Sequence, residues 1–328
     1  MVIAVDAVGG DFYPKTPVEG AVEAVNENDK ISLVLVGTEE LIKKELKNKQ
    51  YDKQRINILH APEIIGMDES PSSAVKSKRE SSIVKGIYAH KNGDCQAFVS
   101  AGNTGALLAA STLILGKLDG VIRPVIAATF PTLKGFRLML DAGANLEIKP
   151  DLYLQMAKMG SIFVEEIMQV PDPKIGLLNI GEEPEKGREV EKEAYKLLSG
   201  ESSFIGNIEG RDILPGKADV ILTDGFNGNI VLKFGESIPE SLKHLIGKTM
   251  KELQIDDASQ KLVYKIIAQT MDTFNYEHVG GVPFLGVNGI SLVGHGGSTP
   301  TAIKNMIFNA AECVTNKVNE KIITSLTN

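Results

Sequence analysis

The chain alternates short, nearly continuous apolar runs with longer segments of helical period, and this rhythm constrains its fold more than any other feature. Apolar, largely β-branched runs stand at 2–7 (VIAVDA), 31–37 (ISLVLVG), 96–101 (QAFVSA), 125–130 (VIAATF), 136–143 (FRLMLDAG), 175–181 (IGLLNIG) and 218–225 (ADVILTDG). One helical segment lies between most of them. Strands this apolar need cover on both sides, so the pattern predicts an α/β fold, a mostly parallel sheet with helices on both faces. Helix starts agree: Pro14 and Pro17 precede EGAVEAVNEN, Thr38 precedes Glu39 and Glu40, and Pro150 opens DLYLQMAKMGSIFVEEI. At a first turn a missing N–H is harmless and acids are favoured.

The rhythm changes at 236–275, where two helical patterns follow each other without a strand. Leu242, Leu245, Ile246, Met250 and Leu253 recur at three- and four-residue spacing, as do Val263, Ile266, Ile267, Thr270 and Phe274, with QIDDAS at 254–259 as the turn. A protruding helical hairpin is predicted. Its apolar stripe serves either a partner subunit or a membrane surface, and Asp256 and Asp257 at the tip oppose the second use. A length of 328 residues is enough for two domains. No repeat, low-complexity tract or Pro/Gly-rich linker marks a boundary, so residues 1–328 are expected to form one compact α/β unit with 236–275 as an arm.

Composition removes whole classes of function. With 35 basic against 42 acidic residues the formal charge is -7, which argues against nucleic acid as a partner. Cys95 and Cys313 stand apart and outside any CxxC spacing, which fits a reducing, cytoplasmic setting. The start MVIAVDAVGGD lacks a basic leader, and no apolar run approaches a membrane span. Common catalytic signatures fail as well. GKT at 247–249 lacks the first glycine of a phosphate loop, since position 242 is Leu242. GGSTP at 296–300 has no final glycine and no Asp and His after it. The 5 histidines, at 60, 90, 244, 278 and 295, show no zinc-ligand spacing, and no GxGxxG follows a first strand.

What recurs instead is a glycine-rich turn with Asp, Asn, Ser or Thr directly after an apolar run: DAVGGD (6–11), SAGNTGA (100–106), DAGAN (141–145), NIGEE (179–183), NIEGRD (207–212) and DGFNGN (224–229), with GHGGST (294–299) before the last helix. In a parallel sheet such loops gather at one edge, where ligands bind. Each alone is also explained as a turn that needs φ > 0. SAGNTGA is the most specific. Its backbone N–H groups open a helix near Asn103, a setting that suits phosphate, with Ser100, Asn103 and Thr104 adding side-chain donors. The same residues also suit an ordinary N-cap.

These strings carry a family resemblance. AVDAVGGD (4–11), MDESPSSAVKSKRESS (67–82), VSAGNTGAL (99–107), RPVIAATFPT (123–132), LDAGAN (140–145), GLLNIGEEPEKG (176–187), GNIEGRDI (206–213), TDGFNGNIVLK (223–233) and FLGVNG (284–289) resemble the bacterial phosphate acyltransferases of phospholipid synthesis. The likeness implies reversible transfer of a long-chain acyl group from acyl carrier protein to inorganic phosphate, giving acyl phosphate without a metal or other cofactor. It further implies a homodimer, a fold similar to phosphate acetyltransferase and the isocitrate dehydrogenase group, and peripheral membrane contact that would bring a membrane-bound glycerol-3-phosphate acyltransferase within reach.

Phosphate is itself a nucleophile near neutral pH, so such an enzyme needs an anion cradle and orientation rather than a Ser or Cys intermediate. Ser100, Gly102, Asn103 and Thr104 are expected to hold phosphate, with the backbone of Gly9 and Gly10 opposite and Lys186 or Arg211 balancing charge. Asn179, Asn229 and His295 are candidate oxyanion donors. The departing thiol takes its proton from His295 or through a water held by Asp224. Turn-fixing is the competing role for Asp6, Asp141 and Asp224. Three rivals stand beside this reading: a coenzyme A-dependent phosphate acetyl- or butyryltransferase, a metal- and nicotinamide-dependent decarboxylating dehydrogenase, and a non-catalytic membrane scaffold. Acyl carrier protein and phosphate are both anions, so a local basic face must reverse the global charge, either Lys76, Lys78, Arg79 and Lys85 or Lys248, Lys251, Lys261 and Lys265.

Overall fold

A computed structural model describes residues 1–272 and 276–327. Among the described residues the strands are β1 (Val2–Asp6), β2 (Ser32–Gly37), β3 (Ile56–His60), β4 (Ala97–Ser100), β5 (Val125–Ile126), β6 (Ala128–Thr132), β7 (Gly135–Leu140), β8 (Ile175–Leu178), β9 (Phe204–Ile208), β10 (Val220–Leu222), β11 (Val282–Leu285) and β12 (Ile290–Val293). The chain divides into two compact units, one of Met1–Ala127, Gln155–Asp172 and Glu277–Asn328, the other of Ala128–Leu154 and Pro173–Tyr276. Each carries its own sheet, and the expected mostly parallel α/β architecture holds in both.

The sheet of the first unit runs β3-β2-β1-β4-β12-β11-β5. From β3 to β12 all neighbours are parallel; β11 pairs antiparallel with β12 and with β5. Its centre is apolar throughout, with Ile3, Val5, Leu33, Leu35, Phe98 and Val99 at 0–2% exposure, which is why these strands read as continuous hydrophobic runs. Helix Lys15–Glu27 lies so close to helix Pro300–Thr315 that a Cβ on Gly20 would stand 2.5 Å from the Pro300 carbonyl and 2.6 Å from Ile303 Cβ. Only glycine permits that approach.

The second unit is ordered β6-β7-β10-β8-β9, parallel except for the β6/β7 pair. Phe130, Met139, Ile208, Ile213, Ala218 and Ile221 form its core, with Val231 and Leu232 packed against them. The run expected as one strand at 125–130 is two: β5 belongs to the first sheet and β6 to the second. The helical arm also begins earlier than 236. Helix Gly225–Glu252 starts directly at the DGFNGN turn and passes through Pro239, and helix Asp257–Asp272 returns from it. Met250 and Ile267 are buried, whereas Leu242, Leu245, Leu253, Leu262 and Ile266 stay exposed. Phe274 lies outside the described residues. No helix among the described residues is long and apolar enough to cross a membrane.

Candidate functional site

Strand order reverses in the first unit at β1. The chain leaves β1 toward β2 and β3, while β4 lies on its other side, so the loops after β1 and β4 part in opposite directions. In an open α/β sheet this divergence makes a crevice beyond the carboxyl ends of the strands. Asp6 and Ser100 end the two strands, one step beyond the paired Val5 and Val99, and both are buried. Ser100 Oγ donates to Asp6 Oδ2 at 2.6 Å and accepts from Gly102 N at 2.9 Å, while Val8 N donates to Asp6 Oδ1 at 3.2 Å. Burial pushes the Asp6 carboxyl above the usual carboxylate range, and donors from Ser100, Ser82, Val8 and Gly9 oppose that rise.

Three further segments meet this pair. A Cβ on Gly9 would stand 2.6 Å from Asp6 Oδ2 and 2.9 Å from Gly102 N, so the two glycine turns touch directly above the carboxylate. Gly10 has φ +93°, open to glycine alone without strain. Asp11 N donates to the Gly296 carbonyl at 2.8 Å, which joins the loop after β12. Asn103 caps helix Thr104–Ala110 by accepting from Ala106 N at 2.9 Å, and its amide donates to the carbonyls of Gly66, Met67 and Glu69 at 3.0, 3.2 and 3.2 Å. The segment at 66–69 is thereby drawn to the same end of the sheet. The Glu69 carboxylate, held by Lys78 and by Gly66 N, lies below its ordinary range.

Gly9, Gly10, Ser100, Gly102, Asn103 and Thr104 are therefore neighbours, and His295 sits on the adjoining loop. The Ser100 hydroxyl and the Asn103 amide are engaged in holding loops, as are the N–H groups of Gly9 and Gly102, which donate to Asp6 and to Ser100 Oγ, and Thr104 is half-buried. His295 is exposed; Nδ1 accepts from Gly297 N at 3.3 Å, and its carbonyl accepts from Ser298 N and Oγ at 2.9 and 2.6 Å.

Asn179, Lys186, Arg211, Asp224 and Asn229 belong to the second unit. Asn179 donates to the Lys186 carbonyl at 3.0 Å and to Asn207 at 3.2 Å, and accepts from Ile180 N at 2.8 Å; these bonds hold the loop at 180–187 and leave its amide no donor for an oxyanion. Lys186 is exposed with no acid partner among the described residues, while Arg211 is paired with Glu209 at 2.6 Å. Asp224 caps helix Gly225–Glu252, accepting from Asn227 N at 2.7 Å and Asn227 Nδ2 at 2.9 Å. Its other partner is Arg188, which also pairs with Glu191. Both carboxylates are buried, and their hydrogen bonds to the guanidinium, that of Glu191 before that of Asp224, raise the pKa of Arg188. Tyr153 is pushed up too, first by burial and then by the charges of Glu191 and Asp224. Asp141 accepts from Asn145 N and Nδ2, both at 2.8 Å, and from Gly143 N and Ala144 N at 3.2 and 3.1 Å. A Cβ on Gly225 would stand 2.7 Å from the Asn145 carbonyl, so DAGAN and DGFNGN interlock. Asn229 is exposed at the end of that turn.

Sequence reasoning chose Lys186 or Arg211 as the balancing cation and passed over Arg188, Glu191 and Tyr153. The spacing of Arg188 and Glu191, three apart at a helix start, is the signal that was available. Among the described residues no group of three or more His, Cys, Asp or Glu is arranged to hold a metal.

A family model described as "Fatty acid synthesis protein" matches residues 1–321. The chain is 44% identical over 99% of both chains to a phosphate acyltransferase of Chlorobaculum parvum, and 46% identical to one of Salinibacter ruber over 96% of this chain and 95% of that one. A phosphotransacetylase structure from Streptococcus pyogenes superposes with a TM-score of 0.60 at 16% identity, covering 96% of this chain and 94% of that chain, so the two share a fold. Matched along nearly its full length and at such identity, the chain belongs to the fatty acid synthesis protein family, the family of the phosphate acyltransferases.

Proposed function

We propose that this chain, an acyltransferase of that family, moves a long-chain fatty acyl group from the thioester of acyl carrier protein to inorganic phosphate, reversibly, giving acyl phosphate for phospholipid synthesis. The near-full-length match to proteins named phosphate acyltransferase carries the proposal. A phosphate oxygen attacks the thioester carbonyl, the C–S bond breaks as the C–O bond persists, and the proton of hydrogen phosphate ends on the departing thiol. No protein nucleophile is required. The turns at 9–10 and 102–104 offer phosphate the N–H groups of Gly10, Asn103 and Thr104 beside the Thr104 hydroxyl, those of Gly9 and Gly102 being taken by Asp6 and Ser100. Exposed His295 relays that proton, taking it from the attacking hydrogen phosphate and giving it to the departing thiol. In the second unit, taken by itself, Asn229 and Lys186 are exposed, whereas Asn179, Asp224 and Arg211 act through the loops they hold.

The active species in this proposal is a cytoplasmic homodimer joined through the exposed apolar residues of the hairpin, with peripheral membrane contact delivering acyl phosphate to a membrane-bound glycerol-3-phosphate acyltransferase. Acyl phosphate formation is measured with palmitoyl carrier protein and with acetyl-coenzyme A as donors. Turnover with the carrier thioester and not with acetyl-coenzyme A is expected. The opposite preference assigns the chain to the coenzyme A-dependent chemistry, and turnover of neither assigns it a scaffold role.

A further inference from the structure

We propose that Asp6 is a positioning residue for phosphate: through Ser100 it fixes the turn after β4 against the turn after β1, so that two glycine turns face one volume. The inference rests on the phosphate-binding function proposed above. Asp6 lies beneath both turns without reaching the space above them. One carboxylate oxygen takes the Ser100 hydroxyl at 2.6 Å and the other takes Val8 N at 3.2 Å. The Ser100 oxygen then takes Gly102 N at 2.9 Å, so a chain of bonds runs from the end of β1 through the end of β4 to the glycine that opens the helix. Ser82, the first residue of helix Ser82–Lys91, and Gly9 donate to the same carboxyl.

Val8 N and Gly9 N can only donate and Ser100 Oγ donates to it, so the carboxylate form satisfies these contacts, against the burial that raises its pKa. A buried charge with this many donors is costly to assemble and is badly replaced by an amide, whose NH₂ meets a donor. Ordinary loop anchoring would not need a charge here. Asn103, with a neutral amide, anchors the neighbouring segment through its bonds to Gly66, Met67 and Glu69. The charge instead orders several N–H groups and two hydroxyls around one point, and the peptides of Gly9, Gly10 and Gly102 take their orientation from it. The N–H groups of Gly9 and Gly102 are spent on the carboxyl and on Ser100 Oγ, so what they preorganise is the peptides that follow, those of Gly10, Asn103 and Thr104, which need no rearrangement when the anion arrives. The 2.9 Å approach of a Cβ on Gly9 to Gly102 N shows how little slack the two turns have.

The test compares Asp6→Asn and Ser100→Ala with the full-length wild-type chain in phosphate titration calorimetry and in acyl phosphate formation. Both variants are expected to weaken phosphate binding, and to raise the KM for phosphate, by about tenfold, with less than about a twofold change in the KM for palmitoyl carrier protein. The double variant is expected to be no weaker than either single one, since both break the same chain of bonds. Ser111→Ala removes another buried hydroxyl, bonded to Ser291 at 2.9 Å, and is expected to lower Tm while leaving phosphate affinity unchanged. If Asp6→Asn does not fold, Ser100→Ala decides. Unchanged phosphate affinity in a folded variant overturns the positioning role while leaving the proposed reaction intact. Weakened binding in a chain whose wild type forms no acyl phosphate overturns the reaction and upholds the positioning role. A wild-type chain that binds no phosphate overturns both.

Discussion

Both ring nitrogens of His90 are engaged: Nδ1 lies 3.0 Å from the Cys95 carbonyl, and Nε2 accepts from Ile290 N at 3.0 Å. A carbonyl only accepts and a backbone N–H only donates, so the proton sits on Nδ1 and the ring is neutral. Burial depresses its pKa, opposed in part by the Cys95 carbonyl. A histidine whose folded pKa is depressed contributes stability that is whole above the ordinary histidine range and is lost as the pH falls from there through the lowered value. Denaturant titrations between about pH 7 and pH 5 should show a loss of stability that a His90→Gln chain, which takes no charge, does not share. Gly86 supports the same helix by absence of a side chain: a Cβ there would overlap the Phe98 ring, which is fully buried. Gly86→Ala is expected to cost ~1–3 kcal/mol in denaturant unfolding, with part restored by Phe98→Leu. Side chains of this kind mark the limit of what the sequence discloses. The glycine turns were legible because glycine next to Asp or Asn after an apolar run has few other uses. Which donor meets which acceptor was not, since the bonds from Ser100 to Asp6 and from Asn103 to Gly66 span 94 and 37 residues.

Helix Gly225–Glu252 illustrates how an element inherits its start from a single residue. Asp224 supplies the cap oxygen to Asn227 N and holds Arg188, so the loop and the ion pair are set together. Asp224→Ala is expected to lower stability by ~1–2 kcal/mol, the range for a lost N-cap. Asp224→Asn keeps a cap oxygen and should retain most of that stability; the Arg188 side chain is 61% exposed, so its screened pairing adds little. Thermal unfolding of the two variants beside wild type separates the contributions. Strands were legible in proportion to burial. The central ones, β1, β2, β4, β7, β8 and β10, stand within the apolar runs read from the sequence, whereas β3 and β9 went unrecognised. Both lie at sheet edges, and INILH and FIGNI carry Asn, His or Gly where an edge tolerates polar residues. The hairpin of β11 and β12 was also missed, although Asn288-Gly289 at its turn is a hairpin signal.

At the scale of the whole molecule, the division into two units is hard to read from composition because two of the crossings carry no linker. One crossing falls between β5 and β6, with one residue intervening, and another falls within helix Pro150–Glu166. The global charge of -7 is legible at once, and under the proposed function it opposes both anionic substrates. Pairing within the fold shows which cations are left to reverse it. Lys78 is bound to Glu69 at 2.6 Å, Lys85 to Glu80 at 3.1 Å and Lys248 to Glu252 at 3.7 Å. Lys76 and Arg79 are exposed and have no acid partner among the described residues, and they follow directly on the segment at 66–69 that Asn103 holds to the phosphate turns. A carrier protein docked there would deliver its thioester beside those turns. The double reversal Lys76→Glu/Arg79→Glu is therefore expected to raise the KM for palmitoyl carrier protein by about tenfold at low salt, and by less as the ionic strength rises and screening shortens. Palmitoyl-pantetheine, which lacks the acidic carrier, should be used equally well by both chains. Reversal of Lys251, Lys261 and Lys265 on the hairpin is the control. A larger effect there, with none at Lys76 and Arg79, would place the carrier on the arm instead.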